Sequence, residues 1–288
     1  MTDNAETLLS ELSLVKIGEA PSRFGQQVRA RLEAVYGNYS DAIQGWTNLL
    51  ANPEAFRPPV RRSIISAYLA RNGRDWTKLS NRELERISPL AKENLEEEPD
   101  LDPNLRMWFR VVRATGELPI GRIAEQLTYK SLTRPTPDTL FYLYILKFLQ
   151  TDMGVGEASV EASSVLETCR ELSTRLPNRT RSFEWLGHGT GLKALVNQSS
   201  LGDWDSNSEF WSNVGLLRQV EGRISRIRGT ATGEIELPSG LIAFFVPARG
   251  QIAGGYLAGR DIGHPVQFYL GFSYDGLRAW NVGNVEIK

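Results

Sequence analysis

The sequence predicts a multidomain α plus β protein, with an N-terminal domain of antiparallel helix pairs and a C-terminal five-stranded β-barrel. Three observations predict it. From about Ser22 to Val196 apolar residues recur at helical spacing, as in Val60, Ile64, Ile65, Tyr68 and Leu69. Residues 197–217 turn to Ser, Asn, Asp and Gly, the composition of a connecting segment. Beyond Leu217 the pattern is one of short strands, and 288 residues give room for two cores.

In chain order, residues 1–21 form an N-terminal helical extension, followed by a helical-repeat domain over 22–196. Prolines such as Pro58, Pro59, Pro103, Pro119, Pro135, Pro137 and Pro177 fall between the periodic segments, where they end or start helices without breaking a ladder. The segments pair as DAIQGWTNLL with VRRSIISAYLARNG, ELERISPLAKENL with NLRMWFRVVRATGE, RIAEQLTYKSLT with PDTLFYLYILKFLQ, and ASSVLETCREL with TRSFEWLGHGTG. The interval between pairs is about 33 to 44 residues, a helical-repeat period in which each apolar face is buried by stacking on its neighbour. A plain helical bundle is the alternative. The connector, 197–217, carries Trp204, Phe210 and Trp211, so it is expected to be ordered and packed.

The barrel is expected over 218–288, in the strands QVEGRISRIRG, ATGEIEL, GLIAFFVP, PVQFYLGF and LRAWNVGNVEI. Asp275-Gly276 marks the last hairpin, because a tight turn there needs positive φ. With a period of two, Gly233, Ile235, Phe244 and Val246 face inward, while Thr232, Glu234, Phe245 and Pro247 face outward with Arg226.

Two resemblances follow. The helical spacing, with small residues Ala67, Ala70, Ala114 and Ala124 at helix crossings, resembles tetratricopeptide repeats, which implies a groove for a peptide or partner protein and no catalytic role. Residues Glu221 to Val282 resemble the cold-shock domain of the oligonucleotide-binding type. Gly222 and Ile224 stand in its opening Gly-x-Val, Gly233-Glu234-Ile235 in its first ribonucleoprotein motif, and Phe244-Phe245-Val246-Pro247 in its second. Val266-Gln267-Phe268 and Ala279-Trp280-Asn281-Val282 match its last two blocks. The resemblance implies a face that stacks bases on aromatics, but Arg226, Thr232 and Glu234 replace aromatic residues of the family.

Four residues therefore become candidates for contact with single-stranded nucleic acid: Arg226, Arg228, Thr232 and Phe245. From Arg218 to Lys288 there are 8 basic and 6 acidic residues, so the expected binding is weak and indifferent to sequence. A charged edge strand that resists aggregation is the alternative. Arg106, Arg110 and Arg113 recur at i, i+4 and i+7 and could grip phosphates or an acidic peptide of a partner, or form a solvated face paired to Glu96, Glu97, Glu98, Asp100 and Asp102.

Other classes are excluded or left without a signal. With 33 basic and 34 acidic residues, nothing global draws the chain to nucleic acid or anionic lipid. One cysteine, Cys169, and two histidines cannot build a Cys/His zinc site, and no apolar run reaches membrane-spanning length. WLGHGTGLKALV lacks phosphate-loop spacing. The expectation is a cytoplasmic, non-catalytic adaptor without cofactor, binding a protein through its helices and nucleic acid weakly through its barrel, in a bacterial regulatory or phage-defence complex by analogy. A pure protein scaffold and an enzyme with an unrecognised site are the alternatives.

Overall fold

The computed structural model describes residues 23–52, 55–116, 118–150, 157–207 and 210–285; the expected N-terminal extension lies outside them. The chain forms two compact units that divide between residues 117 and 118.

The first unit holds α1 (Arg23–Val35), α2 (Tyr39–Leu50), α3 (Arg57–Arg71), α4 (Asn81–Glu97) and α5 (Asp102–Thr115). Each helix packs against its successor. The boundaries follow local chemistry: prolines occupy the first turn of α3, and Ser80 and Glu83 make a reciprocal capping box at α4. The core consists of apolar stripes such as Val60, Ile64, Ile65 and Tyr68. One charge is buried within it. Arg61 lies between Glu93 at 2.8 Å and Glu97 at 2.9 Å, next to the buried Asn94, whose amide donates to the Pro58 carbonyl. Arg62 reaches Glu98 at 2.6 Å and the Asn104 amide oxygen at 3.0 Å, so α3 is joined to α4 and the residue after it by paired charges and to α5 by a hydrogen bond, as well as by packing.

The second unit contains α6 (Ile120–Thr133), α7 (Pro137–Gln150), α8 (Glu157–Leu172) and all the strands. Strands β5 (Gln219–Arg228), β6 (Thr232–Glu236), β7 (Ile242–Phe245), β8 (Pro265–Ser273) and β9 (Gly276–Asn284) close into a five-stranded barrel. Its circuit is β5-β6-β7-β9-β8-β5, antiparallel at every step except β7–β9. Ile224, Ile235 and Phe268 lie in its core, Ile235 on the inward side that the strand period gives it.

Several boundaries differ from the sequence-based expectation. The segment TRSFEWLGHGTG is not a helix: it carries β1 (Glu184–Leu186), which pairs with β2 (Leu195–Asn197) and adds both to the barrel sheet beside β8. The helices after residue 118 share a compact unit with the barrel, so the division falls there and not at 197–217.

The physical reason is α7. Ten of its residues, including Phe141, Tyr144, Ile145 and Phe148, are buried around its whole circumference between α6, α8 and the barrel. The tip of the β8–β9 hairpin, Ser273-Tyr274-Asp275-Gly276, docks against it. The Tyr144 hydroxyl donates to the Ser273 carbonyl at 2.6 Å, Tyr274 stacks on Phe141 at 4.5 Å, and its hydroxyl donates to the buried Asp138. Arg170 of α8 donates to the Asp275 carbonyl at 3.1 Å.

The described residues of the 197–217 segment carry short strands of their own. Strands β3 (Trp204–Asp205) and β4 (Phe210–Trp211) form a short hairpin. Trp211 meets Trp185 at 5.1 Å and Trp280 at 4.5 Å, while Trp280 meets Tyr269 at 5.4 Å, which fastens the connector to β1, β8 and β9.

Candidate functional site

The outward side of β5, β6 and β7 is where the candidate nucleic-acid contacts were expected. A register shift between Ile224 and Arg226 resets the alternation of β5, so that Ile227 points inward and Arg226 and Arg228 point outward with Arg223. All three arginines therefore share one side. Two of them face carboxylates on β6: Arg223 is registered with Glu236 and Arg226 with Glu234, the latter at 3.9 Å. Arg228 is opposite Thr232, and both are exposed.

The phase expected for β7 is inverted. Phe245 is buried, Phe244 is half-buried and Val246 is exposed, so Phe245 is not a ligand-facing residue and Phe244 takes that place. The register sets this: Gly233 is paired with Phe245, and a Cβ on Gly233 would lie 2.2 Å from the Phe245 ring. The missing side chain is the space the phenyl group fills. A single row then crosses the outer face, Arg226, Glu234, Phe244 and Arg278, each paired with the next. The Arg278 guanidinium lies 5.2 Å over the Phe244 ring and reaches Asp275 at 2.7 Å. Burial lowers the pKa of Arg278, and Asp275 works against that shift.

Beside this row is a cleft of about 230 Å³, lined by Ser163, Leu166, Glu167, Arg170, Glu234 and Phe244. Helix α8 thus borders the face on which a ligand would lie, an arrangement the strand pattern alone did not foresee. The signal that could have found it is the all-round apolar run TLFYLYILKFL, which needs a partner on every side.

The three arginines expected to hold a partner lie on α5. Arg106 is exposed, Arg110 and Arg113 are half-buried, and Arg106 and Arg113 are each engaged in contacts within the protein. Of the acids considered as their partners, Glu97 and Glu98 are paired with Arg61 and Arg62 of α3. Cys169 is buried, and burial first, then the Asp138 charge, pushes its thiol up to about 12, so it is not a nucleophile near neutral pH. Among the described residues no group of three or more His, Cys, Asp or Glu side chains could hold a metal, and no helix is long and apolar enough to cross a membrane.

No protein-family model matches the chain, and no curated protein matches it. Among solved structures, a crystal structure of a thermophilic TPR protein in Thermus thermophilus aligns with 61% of this chain and 86% of its own at 15% identity, with a TM-score of 0.36.

Proposed function

We propose that the chain is a non-catalytic, cytosolic adaptor whose first helical unit engages a protein partner and whose barrel, despite its likeness to the cold-shock domain, braces α6, α7 and α8 and does not read bases. The observation that carries this reading is the charge balance of the outer row. Glu234 neutralises Arg226, Arg278 covers the lone phenyl ring, and α8 borders what remains. A single-strand interface draws its affinity from unpaired cations along the backbone and from open aromatic faces, each base stack being worth about 1–3 kcal/mol. Arg228 and Thr232 leave only a weak, sequence-indifferent contact. For the first unit, the support is its architecture: successive packed helices, one of them fixed by the Ser80–Glu83 capping box, with charged outward faces and an interior closed by Arg61 and its acids.

The test has two arms. Fluorescence anisotropy with labelled single-stranded RNA and DNA at low and physiological salt should give only weak, salt-sensitive binding. Tight or sequence-selective binding lost in Arg226→Ala would refute the bracing role. A photo-cross-linking residue at the position of the exposed Arg106 should attach one protein reproducibly in native cells, and labelling no different from that of an unrelated soluble protein would remove the adaptor reading.

A further inference from the structure

The connection between α3 and α4 forms a groove of about 490 Å³ lined by Tyr68, Arg71, Ser80, Arg82, Glu83 and Arg86. Its charges do not cancel, although those of the chain nearly do. Arg71 is committed: it bonds Glu83 at 2.6 Å and lies 4.9 Å over the Tyr68 ring. Glu83 is equally committed, accepting from the Ser80 amide at 2.8 Å, the Ser80 hydroxyl at 2.7 Å and the Asn72 amide at 3.1 Å. Arg82 and Arg86 are different. They are exposed, one turn apart on α4, and among the described residues neither has a carboxylate within ion-pair distance.

Arg86 is held in place by one bond, from its guanidinium to the hydroxyl of the buried Tyr68 at 3.3 Å, which leaves its other donors directed elsewhere. Guanidinium groups at i and i+4 stand close enough for one tetrahedral anion to bridge them. A carboxylate would balance one of the two charges, whereas a phosphate monoester carries about −1.5 to −2 near neutral pH and balances both. The groove, at about 490 Å³, is also larger than a phosphate, which leaves space beside it for a short length of chain.

We propose that Arg82 and Arg86 form a site for a phosphorylated side chain of a protein partner, an inference that rests on the adaptor reading and names the chemistry the adaptor recognises. The experiment uses the full chain with three probes: inorganic phosphate followed by ³¹P NMR, a labelled glycine-alanine peptide carrying one phosphoserine, and the same peptide without phosphate. Saturable binding of phosphate, tighter binding of the phosphopeptide and none of the plain peptide are expected. Arg82→Gln and Arg86→Gln should each weaken phosphopeptide binding about tenfold, the loss of one charge-assisted contact, while Lys92→Gln, further along α4, should not. Circular dichroism checks that each variant is folded.

Absence of saturable binding, or binding unchanged in the double variant, overturns the proposal. Binding of phosphate with no preference for the phosphopeptide overturns its assignment to a partner. If neither probe binds but cross-linking at position 106 still attaches a protein, the groove fails and the adaptor reading stands. If the phosphopeptide binds but nothing is cross-linked, the site stands and the adaptor reading fails.

Discussion

Gly233 and Phe245 face each other across β6 and β7, and their sizes are complementary: the ring occupies the space that a Cβ would take. Phe245→Ala should therefore cost about 3–5 kcal/mol in denaturant unfolding, and the half-buried Phe244→Ala clearly less. Gly233→Ala should itself cost about 1–3 kcal/mol by overpacking, and in combination with Phe245→Leu the two losses should fall short of their sum. Additive losses would mean that the two positions do not touch. The sequence motif pointed to these residues but not to their phase, because the dipeptide Phe244-Phe245 reads the same in either register. A second prediction at this scale concerns Glu83. Burial works to raise its pKa, but Arg71, the Ser80 amide and hydroxyl and the Asn72 amide prevail and bring it to about 2. Since the folded value is depressed below the ordinary 4.5, its contribution to stability is present above 4.5 and is lost as pH falls toward 2. Urea unfolding of wild type and Glu83→Gln should show the stability difference shrinking across that window. A difference that is constant with pH would contradict the assignment.

At the scale of elements, the β8–β9 hairpin acts as a plug in a socket made by α7 and α8. Asp275-Gly276 was legible as a tight turn, and Gly276 has φ +130°, but a turn signal is local and says nothing of what covers it. The helix pairs up to α7 were legible from their period, whereas β1 was not, because three residues of strand are too few to show an alternation. The plug makes a testable coupling. Tyr274→Phe leaves the buried Asp138 without that donor and should cost about 1.5–3 kcal/mol, and Tyr144→Phe, which strips the Ser273 carbonyl, about 1–3 kcal/mol. Native-state hydrogen exchange should then accelerate in α7 and in β8–β9 together, since each holds the other. Faster exchange confined to the strands would show that the hairpin is not held by the helix.

At the scale of the whole molecule, the point at issue is where the chain can be cut. Composition places the seam at 197–217, where Ser, Asn, Asp and Gly gather, yet that segment is stitched to the barrel by Trp204, Trp211 and Trp280. A barrel cut free at residue 218 would expose Phe272 and Tyr274, whose rings rest on Phe141, Tyr144 and Phe148 of α7. Burying an aromatic side chain of this size contributes about 1.5–3 kcal/mol, and the Ser273 carbonyl would lose its donor as well. Together these losses approach the roughly 5–15 kcal/mol by which a whole domain is stable. The fragment 118–285 should accordingly unfold in one cooperative transition with a well-dispersed proton NMR spectrum. The fragment 218–285 should show a collapsed spectrum and no sharp transition, although it contains all five barrel strands. If the shorter fragment folds as stably as the longer one, the barrel stands alone, the contacts at Tyr274 contribute little, and the boundary that composition suggested is the correct one.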